Sequence, residues 1–519
     1  MAKRLVLASL VVSLVVGGDT CVFAATLADR VIERTLANGM TVLMVERHQT
    51  PVVSINITFR VGGMDELTGQ TGIAHLYEHM AFKGTRTLGT KDYGRERPLL
   101  EELDRLNSQL DLERERLQAV GLSDSSTLQQ LKQAFKEAQD RAGEWVMGNE
   151  VPQLYQRHGG VGLNASTGKD ITRYMVSLPA NRLPLWAAIE SDRMANTVMR
   201  EFYKERAVVM EERRLRTDDS PNGQLYEVFL STAFQAHSYG LPTIGWASDI
   251  DSLTPEQTGR FFRTYYSPAS TTVALVGDLN PDAVMTLMEQ TFGKLPTAPP
   301  PPPVVTVEPM QRGERRVEVE VDAEPSLLIG FHKPALGHPD DHVFDVIDSV
   351  LSEGLTSRLY KKLVLEKRLA VSVSTDSGTP GVRAPNLFVV AATPLAPHTT
   401  NEVEAVLYEE LERLKAEPVS KEELEKVLNN LDASLIRSLR SNGGLASQLA
   451  YFQAVARDWR YVLKLRERVA AVTPADIQRV ARTYFTKSNR TVATLVKVPA
   501  AKTVAGNPTL SKSSTMVQP

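Results

Sequence analysis

The sequence predicts an α+β protein built from two homologous mixed-sheet and helix domains, with a helical hairpin inserted in the first. Three observations carry that prediction. A segment near the end of each half repeats without a gap. Each half opens on β-branched strand patterns and continues into amphipathic helix patterns. One long charged helical stretch occurs in the first half only.

The halves meet at Pro299 to Pro303, five consecutive prolines. Such a run is stiff polyproline II and joins neither a helix nor a sheet ladder, so it is read as a linker. On either side, residues 253–265 (LTPEQTGRFFRTY) lie over residues 472–484 (VTPADIQRVARTY), and 272–274 (TVA) over 491–493 (TVA), every pair 219 positions apart. In both copies Thr-Pro fits an N-cap followed by proline at the first helical position, and the helix leads into a β-branched strand. This pattern indicates internal duplication.

Strand patterns open each half. Thr41–Val45 and Val52–Phe59 are rich in β-branched apolar residues, and Arg316–Val321 alternates strictly, as a half-buried strand does. Asp345 to Leu351 and Glu402 to Leu414 then read as helices. Between Tyr93 and Val151 the chain becomes helical and charged. Leu99, Leu103, Leu106 and Leu110 form an apolar stripe, and Gly121 to Ser126 read as the turn of a hairpin. The hairpin is either a partner arm or gate, or a surface elaboration with solvated faces.

Composition narrows the function classes. Lys+Arg number 59 against 62 Asp+Glu, a net charge of −3 that lacks the basic excess of a nucleic-acid binder. Hydrophobic residues at 42% and charged residues at 23% exclude a polytopic membrane protein and a disordered chain. Lys3 and Arg4, an apolar run from Leu5 to Val16 and Val22-Phe23-Ala24 predict a secretory signal cleaved after Ala24. The competing reading is an uncleaved anchor, although the run is short for a span. Cys21 is the only cysteine, and Asp19-Thr20 before it does not fit lipidation. Cleavage leaves no thiol for a disulfide or a metal. The expected location is periplasmic or secreted. The predicted organisation is a signal peptide at 1–24, a first domain at 25–295 with the insertion at 93–151, a proline-rich linker at 296–303, a second domain at 304–499 and a disordered tail at 500–519.

The sharpest motif is His75-Leu-Tyr-Glu-His79. At 3.6 residues per turn, His75, Glu78 and His79 share one helix face. Two imidazoles one turn apart suit two corners of a tetrahedral zinc, with the carboxylate beside the open position, which is the inverted zinc-peptidase arrangement. Apolar flanks, Gly72-Ile-Ala74 and Met80-Ala-Phe82, make the helix fit for burial, and burying three ionisable groups is costly unless a metal and hydrogen bonds offset it. A third ligand is expected on the helix around Glu201 to Arg213. With Glu205 at zero, Phe202 falls at about 60°, Val208 at about −60°, Val209 at about 40° and Glu212 at about −20°. Glu205 and Glu212 therefore sit in the apolar stripe and Glu211 outside it. Glu212 as ligand and Glu205 as acceptor from a ligating imidazole explain the pair; buried structural ion pairs with arginines are the alternative. His332, His338 and His342 near Asp340 and Asp341 read as a turn and helix start rather than a second metal site. Neither a phosphate-binding glycine loop nor a serine nucleophile elbow occurs.

Residues 72–85 (GIAHLYEHMAFKGT) closely resemble the active-site segment of the pitrilysin/insulinase zinc peptidases, which include mitochondrial processing peptidase. Residues 163–167 (LNAST) with Tyr174 resemble their edge strand, and 205–212 (ERAVVMEE) their second-helix segment. The resemblance spans both halves. It implies two domains of the processing-peptidase type with one Zn²⁺ in the first, held by His75, His79 and Glu212. It further implies Glu78 as catalytic base, Glu205 as support, and Asn164 on the strand that pairs with substrate backbone. Two departures stand out. The insertion widens the gap between the histidines and Glu212. The segment 359–373 resembles the one that carries a substrate-binding arginine and tyrosine seven apart, yet those positions are Val364 and Val371, which cannot hydrogen-bond a substrate carbonyl or an oxyanion.

The expected function is therefore a zinc metalloendopeptidase acting on extended peptides or small proteins. It would be the metal-bearing subunit of a pair whose homologous companion supplies the Arg/Tyr residues. A processing enzyme for one dedicated peptide has the same site chemistry. The alternative from another class is a non-catalytic peptide-binding or assembly subunit that retains zinc.

Overall fold

The computed structural model describes residues 27–497. The signal peptide expected at 1–24 and the tail expected at 500–519 lie outside the described residues. Two sheets organise the chain. The first contains β1 (Ile32–Thr35), β2 (Thr41–Glu46), β3 (Val52–Phe59), β4 (Val161–Thr167), β5 (Thr172–Pro179) and β6 (Thr271–Gly277), in the order β1-β2-β6-β3-β5-β4. The second contains β7 (Arg315–Val321), β8 (Ser326–Lys333), β9 (Ala370–Thr379), β10 (Asn386–Pro394) and β11 (Arg490–Lys497), in the order β7-β11-β8-β10-β9. Without β1 the two paths are the same. In each, the last strand pairs parallel to the first and antiparallel to the second. Strands β4 and β9 occupy matching edges.

The helices that matter for the site follow in chain order. They are α1 (Ile73–Met80), α2 (Tyr93–Ala119), α3 (Ser126–Gly143), α4 (Phe202–Arg213), α5 (Pro221–Ala233), α6 (Pro255–Tyr265), α7 (Asp341–Ser352), α8 (Asn442–Ala456) and α9 (Pro474–Tyr484). The repeated sequence forms α6 and α9. Each is closed by a capping box, Thr254 with Gln257 and Thr473 with Asp476, and each leads into the last strand of its own sheet. The duplication is thus present in sequence, capping and topology together.

Each sheet is covered on both faces. Helices of the first half pack on one face of the first sheet through Ile55, Ile57, Phe59, Leu76, Met80 and Phe261. Its other face receives α8 from the second half, with Leu445, Leu449 and Ala450 against Leu43, Val45, Ala274 and Val276. Conversely, α5 of the first half lays Leu225 and Phe229 on Leu387, Val389, Ala493 and Leu495 of the second sheet. Gly330 is required there, since a Cβ on it would stand 2.6 Å from the Phe229 ring. Burial from two sides explains why β2 and β6 read as apolar runs, while β3 alternates apolar residues with buried Ser54, Asn56 and Thr58, and β7 at its edge alternates with half-exposed ones. A buried polar hub also joins the halves. Arg383 donates to Asp65 at 2.9 and 3.2 Å, and Asp170 accepts the Tyr239 hydroxyl at 2.6 Å and the Val382 amide at 2.5 Å.

The stretch from Tyr93 forms the expected hairpin. Leu103 and Leu106 of α2 pack on Ala138 and Ala142 of α3, and farther out Leu110 and Leu117 pack on Leu128. Leu99 flanks this contact as a partly buried residue. Residues 296–313 form neither helix nor strand. One expectation fails on α4. Val208, placed on the apolar stripe by the helical wheel, is 44% exposed, because the buried face is made by Glu205 with Phe202, Arg206, Val209 and Arg213, which all lie on the side of Glu205 away from Val208.

Candidate metal centre

Helix α1 starts at Gly72 with φ 85°, where a Cβ would stand 2.5 Å from the Ile244 carbonyl oxygen, so glycine is needed. The Glu66 carboxylate accepts the Gly72 and Ala74 amides at 2.8 and 2.9 Å and supplies the cap that Gly72 lacks. Ile73, Leu76, Tyr77 and Met80 bury one face, and Tyr77 stacks on Phe262 of α6. The opposite face carries His75, Glu78 and His79. The two imidazole centroids lie 4.9 Å apart at 75°.

Helix α4 brings Glu212 to these rings. Its carboxylate oxygens lie 3.7 Å from His75 Nε2 and 3.4 Å from His79 Nε2. His75, His79 and Glu212 each offer a ligand atom within 4.8 Å of the others, and no other group of three metal-type side chains does so among the described residues. Glu205, two turns earlier on α4, presents one oxygen to His79 Nδ1 at 3.4 Å. Glu211 points away and pairs with Arg214 at the surface. The structure thus brings His75, Glu78, His79, Glu205 and Glu212 together as the sequence anticipates. His338 and Asp340 serve a turn, the ring accepting the Asp340 amide at 3.0 Å.

The residues fit a divalent cation. Burial pushes the His75 ring down to about 4, so it is neutral and has a lone pair to give. Burial would also lower His79, but hydrogen bonds to Glu205 and Glu212 outweigh it and hold the ring at about 9. Positive charge is therefore favoured where two imidazoles and a carboxylate converge, with Glu212 itself held below the usual carboxylate range, chiefly by the His79 hydrogen bond. His75 Nδ1 is buried without a hydrogen-bond partner, which leaves Nε2 as the nitrogen that faces Glu212. Two nitrogens and one carboxylate match the donor set of a catalytic zinc with an open position.

Glu78 stands beside this group. Burial raises its carboxyl, partly offset by the Thr167 hydroxyl, which donates to it at 2.6 Å. Thr167 ends β4, one of the two edge strands of the first sheet, and the sequence reading attached no role to it. Asn164 lies on the same strand, exposed, opposite Met175 on β5 and just after a register shift. A cleft of about 900 Å³ lies on the other side of α4, between it and the hairpin, and none of the converging imidazoles or Glu212 lines it.

The second half holds a degenerate counterpart. Helix α7 carries His342-Val-Phe-Asp-Val346, the spacing of His75 to His79 with valine at the last position. Asp345 accepts the Ser377 hydroxyl of edge strand β9 at 2.6 Å, as Glu78 accepts Thr167 of β4. His342 Nδ1 is buried without a partner, as His75 Nδ1 is. Val364 packs against the second core, and Val371 is 57% exposed on β9.

Comparison with known proteins adds the family and the fold. A family model described as insulinase (peptidase family M16) matches residues 41–138, and one described as the peptidase M16 inactive domain matches residues 252–431. The chain belongs to peptidase family M16, the insulinase family. Zinc protease PqqE of Helicobacter pylori is 29% identical over 469 residues, covering 89% of this M16 chain and 91% of that protein. An uncharacterized zinc protease of Streptomyces coelicolor is 24% identical, covering 86% of each. Among solved structures, a protease from Helicobacter pylori superposes with TM-score 0.75 at 28% identity, covering 90% of this chain and 99% of that one. The periplasmic protease PqqL of Escherichia coli shares the fold with TM-score 0.67 at 17% identity, and this chain spans 49% of its length. No helix among the described residues is long and apolar enough to cross a membrane.

Proposed function

We propose that this M16 chain is a zinc-dependent endopeptidase for extended peptides or small proteins, and the metal-bearing member of a pair. The carrying observation is the convergence of His75, His79 and Glu212 beside Glu78, whose carboxylate is tied through Thr167 to the edge strand β4. His75, His79 and Glu212 would hold the zinc, with Glu205 steadying His79. When bound, the zinc supplies Lewis acidity that lowers the pKa of water toward ~7. Glu78 takes the proton from the attacking water and passes it to the leaving amine. A substrate strand adds to β4 by backbone hydrogen bonds, past Asn164, which brings its scissile carbonyl toward Glu78. In this reading residues 25–295 form the metal-bearing domain, residues 304–499 its non-catalytic homologue, and removal of residues 1–24 delivers the chain to the periplasm or medium.

The pairing rests on Val364 and Val371, whose side chains have no hydrogen-bond donor. A companion M16 chain would supply the arginine and tyrosine. That this chain spans about half of PqqL supports such an arrangement. The same valines favour a second reading, a peptide-binding or assembly subunit that keeps its zinc. Unstructured peptides are incubated with the chain from Ala25, alone and with a homologous M16 chain carrying the Arg/Tyr pair, before and after chelation. Chelator-sensitive cleavage that the companion enhances supports the proposal. Zinc-replete protein that cleaves nothing in either mixture supports the second reading.

A further inference from the structure

We propose that Lys83 is a positioning residue of the metal centre, acting on His79 through Glu205. The inference rests on the zinc reading above and goes beyond it in naming a residue that touches neither metal nor substrate. The Lys83 ammonium stands 2.5 Å from Glu205 Oε1 and 3.0 Å from Glu201 Oε2. The other oxygen of Glu205 faces His79 Nδ1 at 3.4 Å. One carboxylate therefore bridges an ammonium and an imidazole, with each oxygen committed to one of them. Rotation of the carboxylate that would swing Oε2 off the ring must break the shorter contact first. With Nδ1 engaged by Glu205, His79 is oriented so that Nε2 faces Glu212 at 3.4 Å.

The anchor itself is held tightly. Lys83 lies one helical turn after His79, and its amide still bonds to the Met80 carbonyl at 3.0 Å. Its own carbonyl accepts from Arg200 Nη1 at 2.6 Å, and the same guanidinium holds the Thr85 carbonyl at 2.8 Å and Leu88 at 3.1 Å. Arg200 is fixed in turn by Glu96, at 2.5 and 2.9 Å, and both side chains are fully buried. Glu96 belongs to the first turn of α2. The inserted hairpin thus reaches the loop that carries Lys83 through one buried ion pair. Glu201 receives a second cation, Lys204 at 2.9 Å, which does not pair with Glu205. This makes Lys204 a matched control for charge near α4.

The test measures zinc dissociation constants by competition with a chromophoric chelator, on the chain from Ala25, whose folding is checked by circular dichroism. Lys83→Met is expected to weaken zinc about 10- to 100-fold, Lys83→Arg to restore most of it, and Lys204→Met to leave it unchanged. If Lys83 acts through Glu205, then Glu205→Gln and the double variant Lys83→Met/Glu205→Gln bind zinc equally. Should Lys83→Met fail to fold, Lys83→Gln carries the same comparison. Equal zinc affinity in wild type and Lys83→Met, or fully additive losses in the double variant, overturns the proposal. Failure of the wild type itself to bind zinc overturns the underlying metal reading instead, and the two failures are distinct.

Discussion

Asp345 offers a sharp test of how burial is offset in the two halves. It sits on α7 at the position that corresponds to Glu78 on α1, but with Val346 in place of a second imidazole there is no cation site to stabilise its charge. Burial therefore raises its carboxyl to about 7 from an ordinary 3.8; Ser377 and Lys333 pull it down, and Asp341 and Asp348 push it up. The native state binds a proton that the unfolded state releases, so this group costs nothing below about pH 4. Its penalty grows with pH through the interval and is complete above pH 7. At roughly 1.4 kcal/mol per unit, the ceiling is about 4 kcal/mol. Part of the side chain still meets solvent, which brings the expectation to about 2 kcal/mol. Asp345→Asn keeps an acceptor for the Ser377 hydroxyl and removes the ionisation. Melting temperatures measured by circular dichroism between pH 4.5 and 8.5 should show the variant about 4–8 °C more stable at pH 8, with the gap shrinking steadily toward acid. A gap independent of pH, or a variant less stable at pH 8, refutes the reasoning.

Other outcomes follow from the same contacts. His75→Ala or His79→Ala should lose zinc outright, read by metal analysis after dialysis, because two ligands do not fill the site. Thr167→Val removes a hydroxyl that favours the charged form of Glu78. The carboxyl then rises, and the acid limb of kcat/KM moves about one pH unit upward, with Thr167→Ser restoring it; an unmoved limb counts against Glu78 as the base. Arg383→Met leaves Asp65 buried and unpaired between the halves, and urea unfolding should report a loss of about 3–5 kcal/mol, partly recovered by adding Asp65→Asn.

Much of this was legible in the sequence because it is written in local periods. The spacing of His75, Glu78 and His79 and the position of Glu205 and Glu212 on one stripe depend only on helix geometry. The repeated Thr-Pro helices announce the duplication. What escaped depends on which elements meet. The apolar face of α8 predicts burial, but nothing in it says that the covering partner is the sheet of the other half. Thr167 meets Glu78 only because β4 runs past α1, and Lys83 meets Glu201 and Glu205 only because α4 is brought beside it. Val208 shows the limit of a helical wheel, which does not say to which side of Glu205 the neighbouring elements press. His342 and Asp345 were readable as a helix start, and their likeness to His75 and Glu78 becomes visible once β9 and Ser377 stand where β4 and Thr167 stand.

The central claim is that Glu78 does the proton transfer at a zinc site it does not help to hold. Hydrolysis of a mixed set of unstructured peptides by the chain from Ala25, with a homologous M16 chain carrying the Arg/Tyr pair added, tests this most directly. Wild type and Glu78→Gln are assayed together, and the zinc content of each is determined. The account predicts equal zinc in both and cleavage by the wild type only. Equal cleavage by the two proteins, or loss of zinc from Glu78→Gln, would contradict it.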